Sequence, residues 1–343
     1  MRKKAGIFVA AVLYYSGLVG LARWLTQRRG PHLIILNYHH ASNGDLLHHL
    51  LYLRRHYRVL HLEEALEELY QADAYKQQYR DHRTPVVLTF DDGYHDMYTH
   101  AFALARKLQV PITIFLIPGY LEGKARFWWK EGDYLAQHAG VEQVTIEGRT
   151  YRLREPADRA LLAQSIDHCV RHTRSVAERE ELLNTFRQVL AMPGNMAEQQ
   201  DTDRSVSWEE VTEMQQSGWV SFGAHTMHHP VLSYLADPVE VHYEISACRR
   251  ALEQKLDRPV YTFAYPIGKT EHIGEEALQA VKKAGYCWAV TTQPGINTPA
   301  SDPYQLHRLP TDVSRHWLVM AAETCGLWSV LSPVWKAILG KDL

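Results

Sequence analysis

The chain has 343 residues, of which 46% are hydrophobic and 22% are charged, and its formal net charge is −2. This composition is typical of a globular protein with a sizeable core, and the length fits one α/β barrel with insertions. A net charge near zero provides no electrostatic footprint for nucleic acid, so we expect no nucleic-acid partner. The four cysteines form no C-x-x-C pair, which argues against a cysteine zinc site.

A basic N-terminus, MRKK, precedes a long apolar run. Residues 5–22 carry no charge and are about long enough to cross a ~30 Å hydrocarbon core as a helix. We interpret residues 1–30 as a membrane anchor or signal segment, and favour an uncleaved anchor because cleaved signal peptides have shorter apolar cores. The basic N-terminus favours the cytoplasm, so we expect the rest of the chain on the periplasmic or extracellular side. Arg23, Arg28 and Arg29 oppose this orientation, and a buried N-terminal helix is the alternative.

Short apolar runs alternate with helical patterns over residues 31–314. Seven runs predict strands: 32–40, 85–90, 110–117, 219–225, 259–266, 286–292 and 304–310. Most are apolar throughout, as in strands of a parallel sheet that are buried on both faces. Five segments show helical patterns: 62–71, 97–109, 207–218, 244–256 and 275–285. The alternation of strands and helices predicts an α/β fold, with seven strands indicating a barrel or near-barrel.

Two regions depart from this alternation. Residues 120–205 predict an α/β insertion, with a hairpin at 141–153 that turns at Glu147-Gly148. Two helices, 161–173 and 178–192, are predicted after the hairpin.

The apolar tail, residues 315–343, contains Trp317, Trp328 and Trp335. Glu323 and Pro333 argue against a second membrane span. An interfacial helix and packing on the barrel are the two interpretations of this tail.

Polar groups collect at the C-terminal ends of three predicted strands, where functional groups gather in parallel α/β folds. Asp91 and Asp92 follow the second strand, and His225 and His229 follow the fourth. The third group is the segment FAYPIG, 263–268. These segments are far apart along the chain, but they are expected to share one rim of the barrel.

A carboxylate and two histidines at one rim suit a divalent cation. His225 and His229 are four residues apart, which on a helical turn places both imidazoles on one face. One carboxylate with two imidazoles leaves coordination positions open, as catalytic sites do. The second aspartate would then act as a base toward water. Two alternatives remain: the D-D-G sequence is also typical of a tight turn, and a chain with 20 histidines, His228 among them, produces H-x-x-x-H by chance.

Three motifs in this order resemble those of the polysaccharide deacetylases with a NodB-homology domain. They are TFDDG at 89–93, HTMHHP at 225–230 and FAYPIG at 263–268, and ILNYHH at 35–40 adds to the likeness. The resemblance covers most of residues 31–312. The FAYP form resembles the subgroup that includes exopolysaccharide deacetylases.

The resemblance implies a distorted (β/α)7 barrel and the metal-dependent removal of acetyl groups from N-acetylated oligo- or polysaccharides. By position, it implies that Asp91 is the catalytic base and that the metal ligands are Asp92, His225 and His229. Zinc is the expected ion, with cobalt, nickel and manganese as alternatives. Two other functions stay open: deformylation or deacetylation of a lipid-linked sugar, and carbohydrate binding without catalysis.

The resemblance also implies roles for the third motif, where this chain departs from the common form R-x-P-Y. The N–H of Ile267 is expected to donate to the oxyanion, beside Tyr265 and Pro266. Ala264 occupies the place of the arginine that orients the base, and Ile267 occupies that of the tyrosine. Thr226 is expected to orient the histidine loop.

The general acid is open at this stage. The family uses a histidine in a late L-x-H motif, for which His307 is the nearest candidate, while Arg308 beside it is a candidate to replace the missing arginine. His39 and His40 end a strand on the same rim, where a direct role and a structural pair are both open. The aromatic run 127–129 suits either stacking on sugar rings or the core of the insertion.

Overall fold

The computed structural model describes residues 2–28, 30–71, 81–121, 126–146, 148–192 and 204–327. The predicted turn residue Glu147 lies outside the described residues, as does the end of the tail with Trp328, Pro333 and Trp335.

Ten strands are found in the described part of the chain. They are β1 (Ile34–Tyr38), β2 (Arg58–Val59), β3 (Pro85–Phe90), β4 (Ile112–Leu116), β5 (Gln143–Ile146), β6 (Arg149–Arg152), β7 (Val220–Ala224), β8 (Thr262–Ala264), β9 (Trp288–Val290) and β10 (Leu309–Pro310). The main sheet is parallel and runs β10-β1-β3-β4-β7-β8-β9, with β2 paired to β3. Strands β5 and β6 form the predicted antiparallel hairpin.

Helices cover the outer side of this sheet and build the insertion. They are α1 (Arg2–Tyr15), α2 (Leu18–Gln27), α3 (Leu46–His56), α4 (Leu62–Tyr70), α5 (Ala103–Leu108), α6 (Pro118–Leu121), α7 (Trp128–His138), α8 (Pro156–Arg171), α9 (Val176–Val189), α10 (Trp208–Gln216), α11 (Pro238–Leu256), α12 (Thr270–Ile273), α13 (Glu275–Lys283) and α14 (Trp317–Thr324). A π-helical segment, Met97–Phe102, leads into α5. Helix α10 begins with a full capping box between Ser207 and Glu210.

The two ends of the main sheet are joined by one short segment. Leu306 bridges to Val290 of β9, and Leu309 pairs with Leu36 of β1, both in parallel. The segment changes partners between these residues, so only part of the predicted strand 304–310 is regular. The predicted distorted (β/α)7 barrel is confirmed.

Alternation along the strands divides the core into two clusters. Ile35, Val87 and Leu306 belong to the smaller cluster. Strands across the whole sheet contribute to this cluster, and helix α4 covers one end of it. Their neighbours Leu36 and Leu88 belong to the larger cluster beneath the helices. Because side chains alternate with a period of two, the smaller cluster is the barrel interior. Both faces of the strands are therefore apolar, as the sequence predicts.

The N-terminal apolar run forms two helices rather than one. Gly17, at φ 84°, separates α1 from α2, and the pair is bent by 68°. In the described part of the chain no single helix is long and apolar enough to cross a membrane, although this bent pair passes by length and composition. Helix α1 packs on α14, where the rings of Tyr14 and Trp317 lie 5.0 Å apart. The interpretation of residues 1–30 as an anchor stays a prediction.

The insertion packs its helices closely against one another. A Cβ on Gly132 of α7 would lie 2.6 Å from the carbonyl oxygen of Ala163 in α8. Phe127 and Trp128 are buried, so these two residues pack in the core of the insertion and are not available to stack on sugar rings. Trp129 is only partly buried and lies against the site described below. The sequence does not predict helix α3, because its leucines are not confined to one face.

Candidate active site

The two adjacent aspartates point in different directions because the backbone turns between them. Asp91 shares the alternation of Val87 and Thr89, so it points into the mouth of the barrel. Asp92 has a left-handed φ of 78°, and Gly93 follows at 73°. The D-D-G sequence thus forms a tight turn, and this turn separates two buried carboxylates that would otherwise repel each other.

Asp91 is held by a buried arginine. The guanidinium of Arg308 donates from Nη1 to Oδ1 and from Nη2 to Oδ2 of Asp91, each at 2.7 Å, and Asn37 Nδ2 donates to Oδ2 at 2.8 Å. Arg308 is 0% exposed and is fixed by a bond from its Nε to the carbonyl of Thr291. Burial alone raises the pKa of Asp91, but the Arg308 charge and its hydrogen bonds hold that pKa well below its usual range. Asp91 is therefore ionised and oriented.

Asp92, His225 and His229 come together as the sequence predicts. Asp92 Oδ1 lies 3.4 Å from His225 Nε2 and 3.7 Å from His229 Nε2, and all three residues are buried. One donor atom from each lies within 4.8 Å of the others, a spacing that suits a metal ion. His225 Nδ1 donates to the carbonyl of Ala264 at 2.7 Å, which directs Nε2 toward Asp92.

The protonation of these groups bears on cation binding, since histidine ligates in its neutral form. Burial, together with the neighbouring His225, lowers the pKa of His229 to about 3, so its ring is neutral. Burial lowers the pKa of His225, but the bond to Asp92 and the charge of Asp91 outweigh burial and raise it. Burial raises the pKa of Asp92, and the two histidines outweigh it and lower that pKa. The spacing of the three donor atoms fits a divalent cation, and binding one would release the proton that the raised pKa of His225 retains.

The two histidines do not share a helical turn, which corrects the sequence interpretation. Residues 225–231 form a loop, because Thr226 at φ 64° and His229 at φ 56° both have left-handed backbones. The rings still meet, with centroids 4.8 Å apart. Thr226 Oγ1 accepts the N–H of His229 at 2.9 Å, which is the contact expected of a residue that orients the loop.

A buried glutamate on α11, which the sequence motifs did not predict, braces the same loop. Glu244 accepts the N–H of His228 at 2.8 Å and lies 2.7 Å from His228 Nδ1, while its own carbonyl accepts the N–H of Met227 at 3.0 Å. The signal is present in the sequence: Glu244 lies on the buried face of α11 with Val241, Ile245 and Cys248. A charged residue on an apolar helix face needs a partner.

We expect Glu244→Ala to weaken metal binding by about 10- to 100-fold, the usual effect of losing a group that supports a ligand. The substitution leaves the N–H of His228 without its acceptor, so the ligand loop loses its brace. Competition with a chromogenic chelator would measure the dissociation constant. Glu240→Ala on the same helix is the matched control, since Glu240 contacts Val176 instead. Equal metal affinity in the two variants would contradict the role of Glu244.

His39 lies beside Asp91 on the loop after β1. Its Nε2 is 4.0 Å from Asp91 Oδ2, and its side chain is 52% exposed. A cavity of about 360 Å³ opens beside it and is lined by His39, His40, Ser42, Asn43, Lys130, Thr311, Asp312, Val313 and Ser314. His39 is therefore a candidate for the acid, since it lies near Asp91 and its side chain borders the open cavity.

The His39 loop is tied down by Asp96. Asp96 Oδ2 accepts the N–H groups of Ala41 and Ser42 at 2.9 and 3.1 Å and the Ser42 hydroxyl at 2.9 Å. His40 Nδ1 lies 3.5 Å from the same oxygen. Burial raises the pKa of Asp96, but these donors and His40 outweigh it and lower that pKa.

We expect Asp96→Asn to destabilise the protein by about 1–3 kcal/mol at neutral pH, since buried donors lose a charged acceptor. The folded-state pKa is depressed, so this stabilisation is present above the unfolded value of about 3.9 and is lost as pH falls through the folded pKa. The difference from the native protein should therefore shrink in acid. Urea unfolding at several pH values measures it, with the exposed Asp133→Asn as control. A pH-independent difference would be evidence against this linkage.

His307 is placed apart from Asp91. Its neighbours Leu306 and Arg308 face the barrel interior, so the alternation of the segment directs His307 the other way. Its ring packs on Gly295, where an added Cβ would lie 2.7 Å from His307 Cγ. His307 therefore faces away from Asp91, which does not fit its expected role as the acid. Arg308 pairs with Asp91 and so takes the place expected for the arginine that the third motif lacks.

The third motif differs between Tyr265, which is buried, and Ile267, which is only partly buried. Tyr265 is buried and donates its hydroxyl to the carbonyl of Tyr304 at 3.1 Å, which corrects its assignment to the substrate group. Ile267 has a left-handed φ of 61°, held by a 2.7 Å bond from Thr292 Oγ1 to its carbonyl. Pro266 precedes it and is buried. Among the described residues, the N–H of Ile267 has no acceptor. The left-handed backbone of Ile267 is strained, typically by ~1–3 kcal/mol, and such backbone strain is common at functional sites.

Comparison with known proteins agrees with this geometry. Residues 78–289 match the family model described as polysaccharide deacetylase. A protein of Bacillus subtilis (strain 168) named as a polysaccharide deacetylase, YxkH, is 23% identical over 295 residues, which is 83% of this chain and 74% of that protein.

Solved structures share the fold. The Streptococcus pyogenes deacetylase PplD in complex with acetate has a TM-score of 0.54 at 19% identity, covering 86% of this chain and 99% of that one. IcaB from Ammonifex degensii has a TM-score of 0.53 at 18% identity, covering 87% and 98% of the two chains. The model match spans more than half of the chain. The chain belongs to the polysaccharide deacetylase family.

Proposed function

We propose that this protein is a metal-dependent N-deacetylase of N-acetylated sugars in a cell-surface polysaccharide or exopolysaccharide. The observation that carries the proposal is the ionised Asp91, held by Arg308 beside the ligand set of Asp92, His225 and His229. A base next to an open metal site is what hydrolysis of an amide requires. The acetate held by the similar PplD structure is consistent with an acetyl-releasing site.

A divalent cation bound to Asp92, His225 and His229 would supply Lewis-acid chemistry and make water more acidic. The donor set of two nitrogens and one oxygen suits zinc, with cobalt, nickel or manganese as alternatives. Asp91 takes a proton from the attacking water, and Arg308 and Asn37 keep its carboxylate aimed and charged. The N–H of Ile267 donates to the oxygen on which negative charge develops.

His39 is the residue we propose to protonate the departing amine. It stands on the open side of Asp91, at the edge of the adjoining cavity. His39 Nε2 is 4.0 Å from Asp91 Oδ2, which is near enough for one reacting atom to contact both residues. We place the barrel on the periplasmic or extracellular side of a membrane, where such polysaccharides are found.

A carbohydrate-binding relative without catalysis fits the geometry less well. The absence of the third-motif arginine, at Ala264, is the sequence feature that favours such a relative. Arg308 fills that role through a bidentate pair with Asp91. A binding protein has no need of a buried, ionised base beside an open metal site.

Acetate release from N-acetylglucosamine oligomers tests the proposal. The full chain, stripped of metal and then supplied with zinc or cobalt, should release acetate, and a chelator should stop the reaction. Formate release from a formylated amino sugar, with no acetate from any oligomer, would favour the deformylase instead. Binding of oligomers with neither product would favour the non-catalytic relative.

A further inference from the structure

The N-terminal helices and α3 are apolar on the side that faces away from the barrel. Phe8, Val12 and Tyr15 recur at one face of α1, and Phe8 and Tyr15 are 70% and 76% exposed. The opposite face of α1 is also apolar and is occupied, because Ala10 is buried and Tyr14 packs on Trp317. A helix with apolar residues all round is buried on every side or contacts lipid.

Helices α2 and α3 also carry exposed apolar side chains. On α2 the exposed side chains are Leu18, Leu21, Trp24 and Leu25, and on α3 they are Leu47 and Leu51. The helices contact each other, since Arg23 of α2 donates to the hydroxyl of Tyr52 in α3. We call the exposed apolar side chains of α1, α2 and α3 the apolar face.

The apolar face is concentrated in one part of the molecule. It holds nine of the thirteen large hydrophobic side chains that are exposed in the described part of the chain. The other four are scattered over α9, α11 and the segment before β8: Val189, Val239, Tyr243 and Tyr261. Single exposed apolar residues are normal, but a concentrated patch marks a surface that contacts something.

The charged residues around the apolar face are basic, which favours contact with an anionic surface. The sequence has no aspartate or glutamate before Asp45, whereas six lysines and arginines occur in its first 29 residues. Lys4 and Arg28 are exposed, and the Arg28 guanidinium lies over the ring of Trp24 at 3.8 Å. Arg54 and Arg55 are exposed at the end of α3. Apolar, aromatic and basic side chains in this combination are typical of helices that lie in a membrane interface.

We propose that the apolar face lies in the headgroup and acyl boundary of an anionic membrane, with α1 and α2 on the surface of the bilayer rather than across it. The 68° bend and the packing of α1 on α14 hold the pair against the barrel. Each additional basic side chain near such a surface adds an attraction that salt weakens.

This placement brings the mouth of the barrel close to the membrane. Helix α3 begins directly after the loop that carries His39, and Asp45 at that junction accepts the N–H of Trp317 at 2.8 Å. Trp317 in turn packs on Tyr14 of α1. The site therefore reaches sugar chains held at the membrane surface, a substrate class that rests on the proposed function, whereas the membrane contact does not.

Vesicle flotation of the full chain tests the membrane contact separately from any activity. The probes are phosphatidylcholine vesicles with and without phosphatidylglycerol, and the variant is Phe8→Gln/Leu21→Gln/Leu25→Gln. We expect the native protein to float with the anionic vesicles, salt to reduce flotation, and the variant to bind at least about tenfold less. Val189→Gln/Val239→Gln/Tyr243→Gln is the matched control, and it should float like the native protein.

Several outcomes would overturn the proposal. Equal loss in the control variant, or no flotation of the native protein, excludes a specific apolar face. Flotation that appears only after truncation at Leu327 shows that the chain's own tail covers it. Retention in the membrane after alkaline carbonate shows a spanning segment. Acetate release from soluble oligomers should be the same in the triple variant and the native protein, so a failure of flotation and a failure of the deacetylase are distinguishable.

Discussion

Asp91→Asn is expected to lower kcat for acetate release by about 10²- to 10⁴-fold, the usual contribution of a positioned general base. The asparagine keeps the shape of the side chain but cannot accept the proton of the attacking water. The metal ligands Asp92, His225 and His229 are unchanged, so metal binding should persist. Steady-state kinetics on N-acetylglucosamine oligomers and metal analysis of the same preparation measure the two quantities together.

Asp92→Asn is the control for the Asp91 prediction, because the two carboxylates are adjacent in sequence and both are buried. It should lose metal affinity as well as activity, since Asp92 supplies the carboxylate of the ligand set. An Asp91→Asn variant that keeps its kcat would show that another group removes the proton. A variant that loses its metal would place Asp91 among the ligands instead.

Arg308→Met is expected to destabilise the protein by about 3–5 kcal/mol, because it leaves the buried carboxylate of Asp91 without its partner. Methionine has a similar length and no charge, so the loss reports the ion pair more than the packing. Activity should fall with stability, since Asp91 loses both the charge that keeps it ionised and the bidentate contact that orients it. Denaturant unfolding measures the first effect, and kcat under conditions where the variant is folded measures the second.

Two further variants serve as comparisons for Arg308→Met. Arg308→Lys keeps the charge without the planar fork, so it should lie between the methionine variant and the native protein in stability. Arg106→Met breaks an exposed pair with Glu213 and should change stability by no more than about 1 kcal/mol. Equal stability losses in Arg106→Met and Arg308→Met would contradict the special position of the buried pair.

The sequence determined the main features of the fold and the core of the site. Continuous apolar runs predict parallel strands, and the ends of such strands share one rim, so Asp91, Asp92, His225 and His229 are expected to meet there. These inferences succeed because strand alternation and strand direction are local properties of the chain. The same alternation places His307 and Arg308 on opposite faces of their segment. Once Leu306 is known to face the interior, Arg308 must face it too and His307 must face away.

Only the tertiary structure decided which side chains support the reacting groups. Arg308 reaches Asp91 because β10 lies beside β1, and Glu244 reaches the histidine loop because α11 packs behind it. Asp96 ties down the His39 loop across 54 residues of sequence. These contacts join segments that are distant along the chain, so no local pattern records them. The apolar face is also a tertiary property, since exposure depends on which side of each helix the barrel covers.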